Sequence, residues 1–254
     1  MEEKNNQNNI SKVRIWTENQ KNKNTNPNIF NSLVYGFKSL FNPMSTKYRA
    51  KEVLFDSIIY ELSRFGAPIP REYNTPESME KIRREYSGDA SLFEFGCYLF
   101  FQIDLWCFRN NKEEWRRTTL NYLTNQFLSL FKEILNIENI EQIFANRLDL
   151  YTRAIQGKLT WTSLVGRNKD DVKNDDKKVF DILHFYLTQL ILKTANNTVP
   201  KIYEFDKDGH FLLGSLALDA VRIALIFSEI TNWEVTMLPA CIESIKNSMI
   251  IEIK

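Results

Sequence analysis

The chain has 254 residues, of which 43% are hydrophobic and 26% charged, the composition of an ordinary globular protein long enough for one large domain. Its formal net charge is +1, so bulk charge gives no reason to expect binding to nucleic acid or to an anionic membrane surface. Only 8 glycines and 7 prolines are present, too few for the many turns of a β-sandwich or an α/β fold. We therefore expect an all-α fold, a single irregular bundle of about seven to nine helices.

Residues 1–27 are dominated by asparagine and lysine and cannot bury enough apolar surface to offset the entropy lost on ordering. Val13, Ile15 and Trp16 form an apolar patch within this segment, which would allow part of it to dock on the body of the protein. We expect 1–27 to be disordered or loosely docked and 28–254 to form one helical domain.

Apolar residues recur at helical spacing through the next part of the chain, which predicts helices at 29–41 and 46–65. A third, short and polar helix is predicted to begin at Thr75, Pro76 and Glu77. These three residues combine a capping hydroxyl, a proline in the first turn and an acid near the positive end of the helix dipole.

The most apolar and aromatic run of the chain is LFEFGCYLFFQIDLWCF, residues 92–108. It is too long for a strand, and its apolar residues lie all round a helix, which is typical of a helix buried on every side. A membrane span needs roughly 20 predominantly apolar residues, and here Glu94, Gln102 and Asp104 interrupt a shorter run. The run therefore predicts the central helix of a helical body and no membrane span.

The polar residues of this helix point in different directions. At about 100° per residue, Gln102 lies on one side of Glu94 and Asp104 on the other, so each needs its own partner if the helix is central. One hypothesis is a polar pocket built from Glu94, Asp104 and Asp219. The other, which we favour, is that these carboxylates are largely buried and paired with arginines. The candidate partners are Arg147, Arg153 and Arg222.

Amphipathic helices are predicted in the second half of the chain as well. They cover 114–135, 138–156, 179–195 and 211–230, and a last one follows from about Leu238. Asp149 and Arg153 stand four residues apart, in the favourable order for a pair on a helix surface. Pro239 lies either in the first turn of the last helix or at a kink.

Two connections interrupt this pattern. Residues 166–178 carry interleaved aspartates and lysines and are interpreted as a solvated connection. The piece KIYEF, followed by the turn signal Asp208-Gly209, predicts at most a small β-hairpin near 201–213.

The cysteine count is odd, with Cys97, Cys107 and Cys241. On one helix the first two would lie about 15 Å apart along the axis, too far for a disulfide. Free, buried thiols are typical of a reducing compartment. No apolar segment near the start of the chain resembles a secretory signal, and we expect a cytoplasmic protein.

Metal chemistry has weak support. Only His184 and His210 are present, and Asp181 precedes His184 by three residues, which is half of a carboxylate-bundle metal pair. A second Glu-x-x-His motif is missing, so a hydrogen-bonded core histidine is the favoured interpretation and no cofactor is expected. A metal-dependent enzyme using Asp181 and His184 remains one alternative hypothesis.

Other catalytic patterns are not found. The sequence has no Gly-x-Ser-x-Gly elbow and no glycine-rich phosphate loop. The abundant aromatic residues fall on apolar faces and do not alternate with lysine and arginine, as they do in single-strand-binding proteins. We therefore predict a non-catalytic, cytoplasmic protein-interaction module of the adaptor, regulator or toxin-neutralising type. A small-ligand-binding bundle with a polar pocket on the central helix is the other alternative.

The predicted contact surface for another protein is the start of the helix at 114–135. Trp115, Arg116 and Arg117 are residue types enriched at binding hot spots, and the charged connection 166–178 would be a secondary contact. The alternative is that Trp115 caps the core and the two arginines are solvated.

Overall fold

The computed structural model describes residues 11–13, 43–65, 77–156, 176–194, 197–199 and 220–253. For 43–48, 176–182, 185, 220–221 and 250–253 it describes the backbone alone. Several predictions therefore lie outside the described residues: the helix at 29–41, most of the connection 166–178, the hairpin near 201–213, His210 and Asp219.

All regular structure in the described residues is helical, with no strand among them, which confirms the all-α fold. Helix α4 contains a π-helical turn, Arg116–Leu120, between Glu113–Trp115 and Asn121–Leu135. The other helices are α1 Pro43–Ser63, α2 Glu77–Glu85, α3 Asp89–Arg109, α5 Ile140–Ile155, α6 Asp176–Leu192, α7 Ala220–Thr236 and α8 Leu238–Ile253. None of the helices described is long and apolar enough to cross a membrane.

Helix α7 ends later than the spacing predicts. It continues past Ile230 to Thr236, because the buried side chain of Trp233 extends its apolar face by another turn. Pro239 lies in the first turn of α8, where the missing backbone N–H of proline costs no hydrogen bond.

Helix α3 is the central helix, and it packs against α1, α4, α5 and α6. Its side chains are buried from Asp89 to Ile103, as the apolar run predicts. The prediction of burial on every side is wrong for the last turn and a half, where Asp104 is half-buried and Phe108 and Arg109 are exposed. The helix therefore leaves the core at its C-terminal end, and this end is the part that solvent or a partner can reach.

Gly96 sets the distance between α3 and α4. A Cβ at this position would overlap the ring of Phe127 and lie 3.2 Å from Leu62 Cδ2. The Phe127 ring has little room to retreat, since its centroid lies 4.9 Å from that of Phe100 and 4.8 Å from that of Phe131. Glycine at 96 is therefore required by the close approach of the two helices.

Three asparagines adopt the left-handed conformation at which glycine is otherwise common: Asn111, Asn136 and Asn197, with φ of 55°, 54° and 54°. Asparagine tolerates this region better than most other residues. At these three positions it takes the place that glycine commonly has after a helix, so the chain needs few glycines there. Asn197 also caps α3, because its Oδ1 accepts a hydrogen bond of 2.9 Å from the backbone N–H of Ala90.

A short N-terminal piece is bound to the start of α3. Ser11 Oγ and the backbone N–H of Val13 donate to Asp89 Oδ1 at 2.6 and 3.1 Å, and the N–H of Lys12 donates to Oδ2 at 3.1 Å. Val13 is fully buried in the core. The rest of 1–27 lies outside the described residues, so its predicted disorder or loose docking stays a prediction.

Candidate functional site: two surfaces of the central helix

A fully enclosed ion pair lies in the buried part of α3. Arg147 of α5 donates from Nε to Glu94 Oε2 at 2.8 Å and from a terminal nitrogen to Oε1 at 2.5 Å. Both side chains are 0% exposed. The predicted pairing of Glu94 with an arginine is thus confirmed, and the bidentate pair fastens α3 to α5 where a ligand has no access.

The thiols are enclosed as well. All three cysteines are free and buried. Burial raises the pKa of the Cys97 thiol well above its ordinary value, and the charge of Glu94 adds to this. Burial likewise raises the pKa of Cys107 and of Cys241 to about 12. These groups stay protonated near neutral pH and are poor nucleophiles.

Asp104 corrects the prediction of a buried carboxylate. Its partner is Arg116 at the start of α4, which donates from Nε to Oδ1 and from a terminal nitrogen to Oδ2 at 2.9 Å. Both side chains are 35% exposed, because Asp104 lies where α3 leaves the core. None of the three arginines proposed as partners for Asp104 binds it. Arg147 pairs with Glu94, Arg153 with Asp149 and Arg222 with Glu85.

The hydrogen bonds from Arg116 to Asp104 raise the pKa of the guanidinium further above its ordinary value, so Arg116 stays charged. One turn after Asp104 on the same helix, Phe108 is 66% exposed. Arg117 is exposed, and Arg116 also donates to Glu113 at 3.3 Å. We call this patch the Phe108 surface; its residues are Asp104, Phe108, Glu113, Arg116 and Arg117.

The three residues predicted to contact a partner separate in the structure. Arg116 and Arg117 lie on the Phe108 surface. Trp115 is 6% exposed and belongs to the hydrophobic core, which is the alternative interpretation of this residue. Trp115 therefore anchors the start of α4 and does not offer its ring to a partner.

A second surface is an open groove between α3, α7 and α8, with a volume of about 420 Å³. We call it the α3–α8 groove. It is lined by Gln102, Leu105, Trp106, Arg109, Glu234, Leu238 and Ile242. Because α3 repeats every 3.6 residues, its groove residues share one face, and Phe108 lies on another.

Polar side chains from three helices meet at one end of this groove. Tyr98 Oη donates to Glu234 Oε1 at 2.9 Å, and Gln102 Nε2 donates to Tyr98 Oη at 2.7 Å. His184 Nε2 lies 2.5 Å from Glu234 Oε2. Burial raises the pKa of the Tyr98 phenol well above its ordinary value, followed by the charge of Glu234, so Tyr98 remains a donor. We call these four residues the Glu234 network.

The sequence patterns did not single out Glu234, which lies far from His184 and Tyr98 in the chain. The available signal was indirect: Tyr98 and His184 are polar residues on strongly apolar helices, and buried polar groups require partners. Asp181, the other half of the predicted metal pair, has a side chain outside the description. Among the described side chains, no group of three or more His, Cys, Asp and Glu residues could hold a metal ion.

Comparisons with known proteins add no further information. No protein-family model matches the chain, and neither the curated proteins nor the solved structures give a match.

Proposed function

We propose that the chain is a non-catalytic protein-interaction module that binds another protein through the Phe108 surface. The observation that carries this proposal is the 66% exposure of Phe108 beside an arginine that is already held in place by Asp104. An adaptor, a regulator and a toxin-neutralising protein would all act in this way.

The apolar part of the proposed contact is Phe108. Burying a side chain of this kind contributes about 1.5–3 kcal/mol, and phenylalanine and arginine are both enriched in the cores of protein interfaces. Most large apolar side chains among the described residues are inside the core; those exposed are Val53, Tyr60, Phe108 and Val235. Phe108 is the one of these four that lies one helical turn after Asp104, the carboxylate that binds Arg116 of the predicted contact region.

The polar part of the contact comes from α4. Arg116 is held by Asp104 and Glu113, so little side-chain entropy would be lost when a partner covers it. Arg117 is exposed and offers a charged donor for a carboxylate. The partner of this proposal therefore has an apolar pocket for Phe108 and an acidic side chain near it for Arg117.

The local backbone supports this placement. The buried indole of Trp115 fixes the start of α4, and a π-helical turn begins at the next residue. Single π-helical turns inside α-helices occur frequently at functional sites. We also propose a cytoplasmic location, which the free, buried cysteines support because such thiols are typical of a reducing compartment.

The test is photo-cross-linking with p-benzoylphenylalanine at position 108 in the organism's own cells. The matched control has the same residue at Tyr60, an aromatic position on α1 that is 43% exposed. We expect a specific adduct with one protein from position 108 and none of the same mass from position 60.

Arg117→Glu in the position-108 variant should remove the adduct by reversing the charge offered to the partner. Arg64→Glu is its control, since Arg64 is an exposed arginine on another part of the protein. Arg117 is a better choice than Arg116, whose replacement would also release Asp104. If position 108 gives no adduct, or the same adducts as position 60, the proposal is wrong.

A further inference from the structure

We infer that the α3–α8 groove is a binding site for a small organic cation, an amine with an elongated apolar body, whose ammonium group is bound by Glu234. This site goes beyond the proposed protein contact, because it lies on another face of α3 and shares no residue with the Phe108 surface.

The first argument is that Glu234 is held in place and yet accessible. Its Oε1 accepts a hydrogen bond from Tyr98, and its Oε2 is bound to His184, so contacts from two other helices fix the carboxylate. The Glu234 side chain nevertheless keeps 18% of its surface exposed and lines the groove. A carboxylate oxygen has a second lone pair, so both oxygens remain able to accept from a ligand.

The second argument is charge. Among the described residues that line the groove, Glu234 is the only acid, and it lies at the same end as Gln102. Arg109, the one basic residue in the described part of the lining, is roughly 10 Å further along α3 than Gln102, at the other end of the groove. An ammonium group is therefore attracted to the Glu234 end and repelled from the Arg109 end, which orients an elongated ligand along the groove.

The third argument is the apolar lining between these two ends. Leu105 and Trp106 of α3 face Leu238 and Ile242 of α8, and all four are only partly buried against the core. A ligand with an alkyl or aryl body would remove this surface from water. The aromatic side chain of Trp106 is the largest in this lining.

The fourth argument is size. A volume of about 420 Å³ is within the range of small-molecule sites, roughly 300–1,000 Å³. The combination of an apolar wall with a few convergent polar groups is the usual composition of such a site. Its polar end is the Glu234 network, whose members come from α3, α6 and α7 and are held by the core packing of those helices.

The test measures binding of 4-phenylbutylamine to the full chain by titration calorimetry, with 4-phenylbutan-1-ol as the uncharged isostere. We expect the amine to bind about tenfold or more tightly than the alcohol, because a hydrogen bond to a charged group is stronger than one between neutral groups. Glu234→Gln should remove this preference by lowering the affinity for the amine to that of the alcohol.

Glu243→Gln is the matched control, since Glu243 is an exposed acid on α8 beside the groove residue Ile242 but is not part of the lining. It should leave both affinities unchanged. Leu105→Trp provides a second variant in case Glu234→Gln does not fold. It fills the groove from a partly exposed position and should remove binding of the amine and the alcohol alike.

Four outcomes would overturn the inference: no binding of the amine to the wild-type chain, equal binding of the amine and the alcohol, a preference for the amine that survives Glu234→Gln, or binding that persists in Leu105→Trp. Equal binding would show that the groove binds an apolar body without recognising the ammonium group. Binding that persists in Leu105→Trp would place the amine elsewhere on the molecule.

Discussion

Helix α3 carries two arginine–carboxylate pairs whose surroundings differ completely. Glu94 and Arg147 are 0% exposed, whereas Asp104 and Arg116 are each 35% exposed. Both pairs are bidentate, and each joins α3 to another helix. The comparison therefore separates the effect of burial from that of hydrogen-bond geometry.

Burial determines whether each pair acts on stability or stays accessible. The enclosed pair has no contact with water, so each charge depends on the other for its stabilisation. Removal of one residue therefore leaves an unpaired charge in the core. The half-exposed pair remains hydrated and contributes little to stability, so its charges stay available to a partner. One helix thus combines an enclosed ion pair in the core with a hydrated ion pair at the surface.

The largest expected effect comes from breaking the enclosed pair. Arg147→Met should lower the free energy of unfolding by about 3–5 kcal/mol, because Glu94 is left buried and unpaired. The measurement is urea denaturation followed by circular dichroism. Arg153→Met is the matched control on the same helix; it breaks an exposed pair and should cost about 0.5 kcal/mol or less. Similar losses in both variants would contradict the assigned role of burial.

A methyl group in the buried part of α3 should have the next largest effect. Gly96→Ala places a Cβ into the Phe127 ring, and overpacking of this kind costs about 1–3 kcal/mol, partly offset by the better helix propensity of alanine. The same urea titration measures it. Adding Phe127→Leu should make the double variant less unstable than the sum of the two single changes. Additive losses would show that the two residues do not contact each other.

Breaking the half-exposed pair should cost much less. Asp104→Ala is expected to lower the free energy of unfolding by about 0–1 kcal/mol, because Arg116 can turn to solvent and to Glu113. A loss as large as that of Arg147→Met would mean that the end of α3 is enclosed after all. The same variant should weaken the photo-adduct at position 108, because Arg116 is no longer held.

The smallest effect is a dependence on pH at Asp56 of α1. Partial burial, followed by the charge of Glu52, raises the pKa of Asp56 above its ordinary value of 3.8. The folded state then prefers the protonated acid. Ionisation of Asp56 therefore lowers the free energy of unfolding as the pH rises above the ordinary pKa, and the loss is complete above the raised pKa. Asp56→Asn should therefore raise the urea midpoint at pH 7 and leave it unchanged at pH 3. An equal rise of the urea midpoint at both pH values would show that the ionisation of Asp56 is not the cause.

The sequence predicts the helical body well because one rule repeats along it. Spacing of apolar residues places α1, α3, α4 and α5 with ends within a few residues of those in the structure. The buried run at 92–108 also identifies the central helix, and the need to pair a buried acid correctly indicates an arginine for Glu94.

The two candidate surfaces follow less from the sequence, because they depend on how helices are placed relative to one another. Arg116 reaches Asp104 only because the turn at 110–112, with Asn111 in the left-handed region, brings the start of α4 back along α3. Glu234 meets His184 through the packing of α7 on α6, which no local spacing encodes. Exposure of Phe108 likewise depends on where the neighbouring helices end.

The π-helical turn makes α4 tolerant of a change in length at one place. The turn contains about one residue more than an α-helical turn, so Trp115 and the core residue Leu123, which are eight residues apart, lie on the same side of α4. Deletion of a single exposed residue of the turn, such as Thr118, would restore a plain α-helix. Seven residues at about 100° each also span roughly two turns, so Trp115 and Leu123 would stay on the same side. A one-residue deletion in the α-helical part of α4 would instead rotate the residues on its two sides by roughly 100° relative to each other and take one set out of the core. The π-helical turn is therefore a place where α4 can lose a residue without changing which side chains face the core.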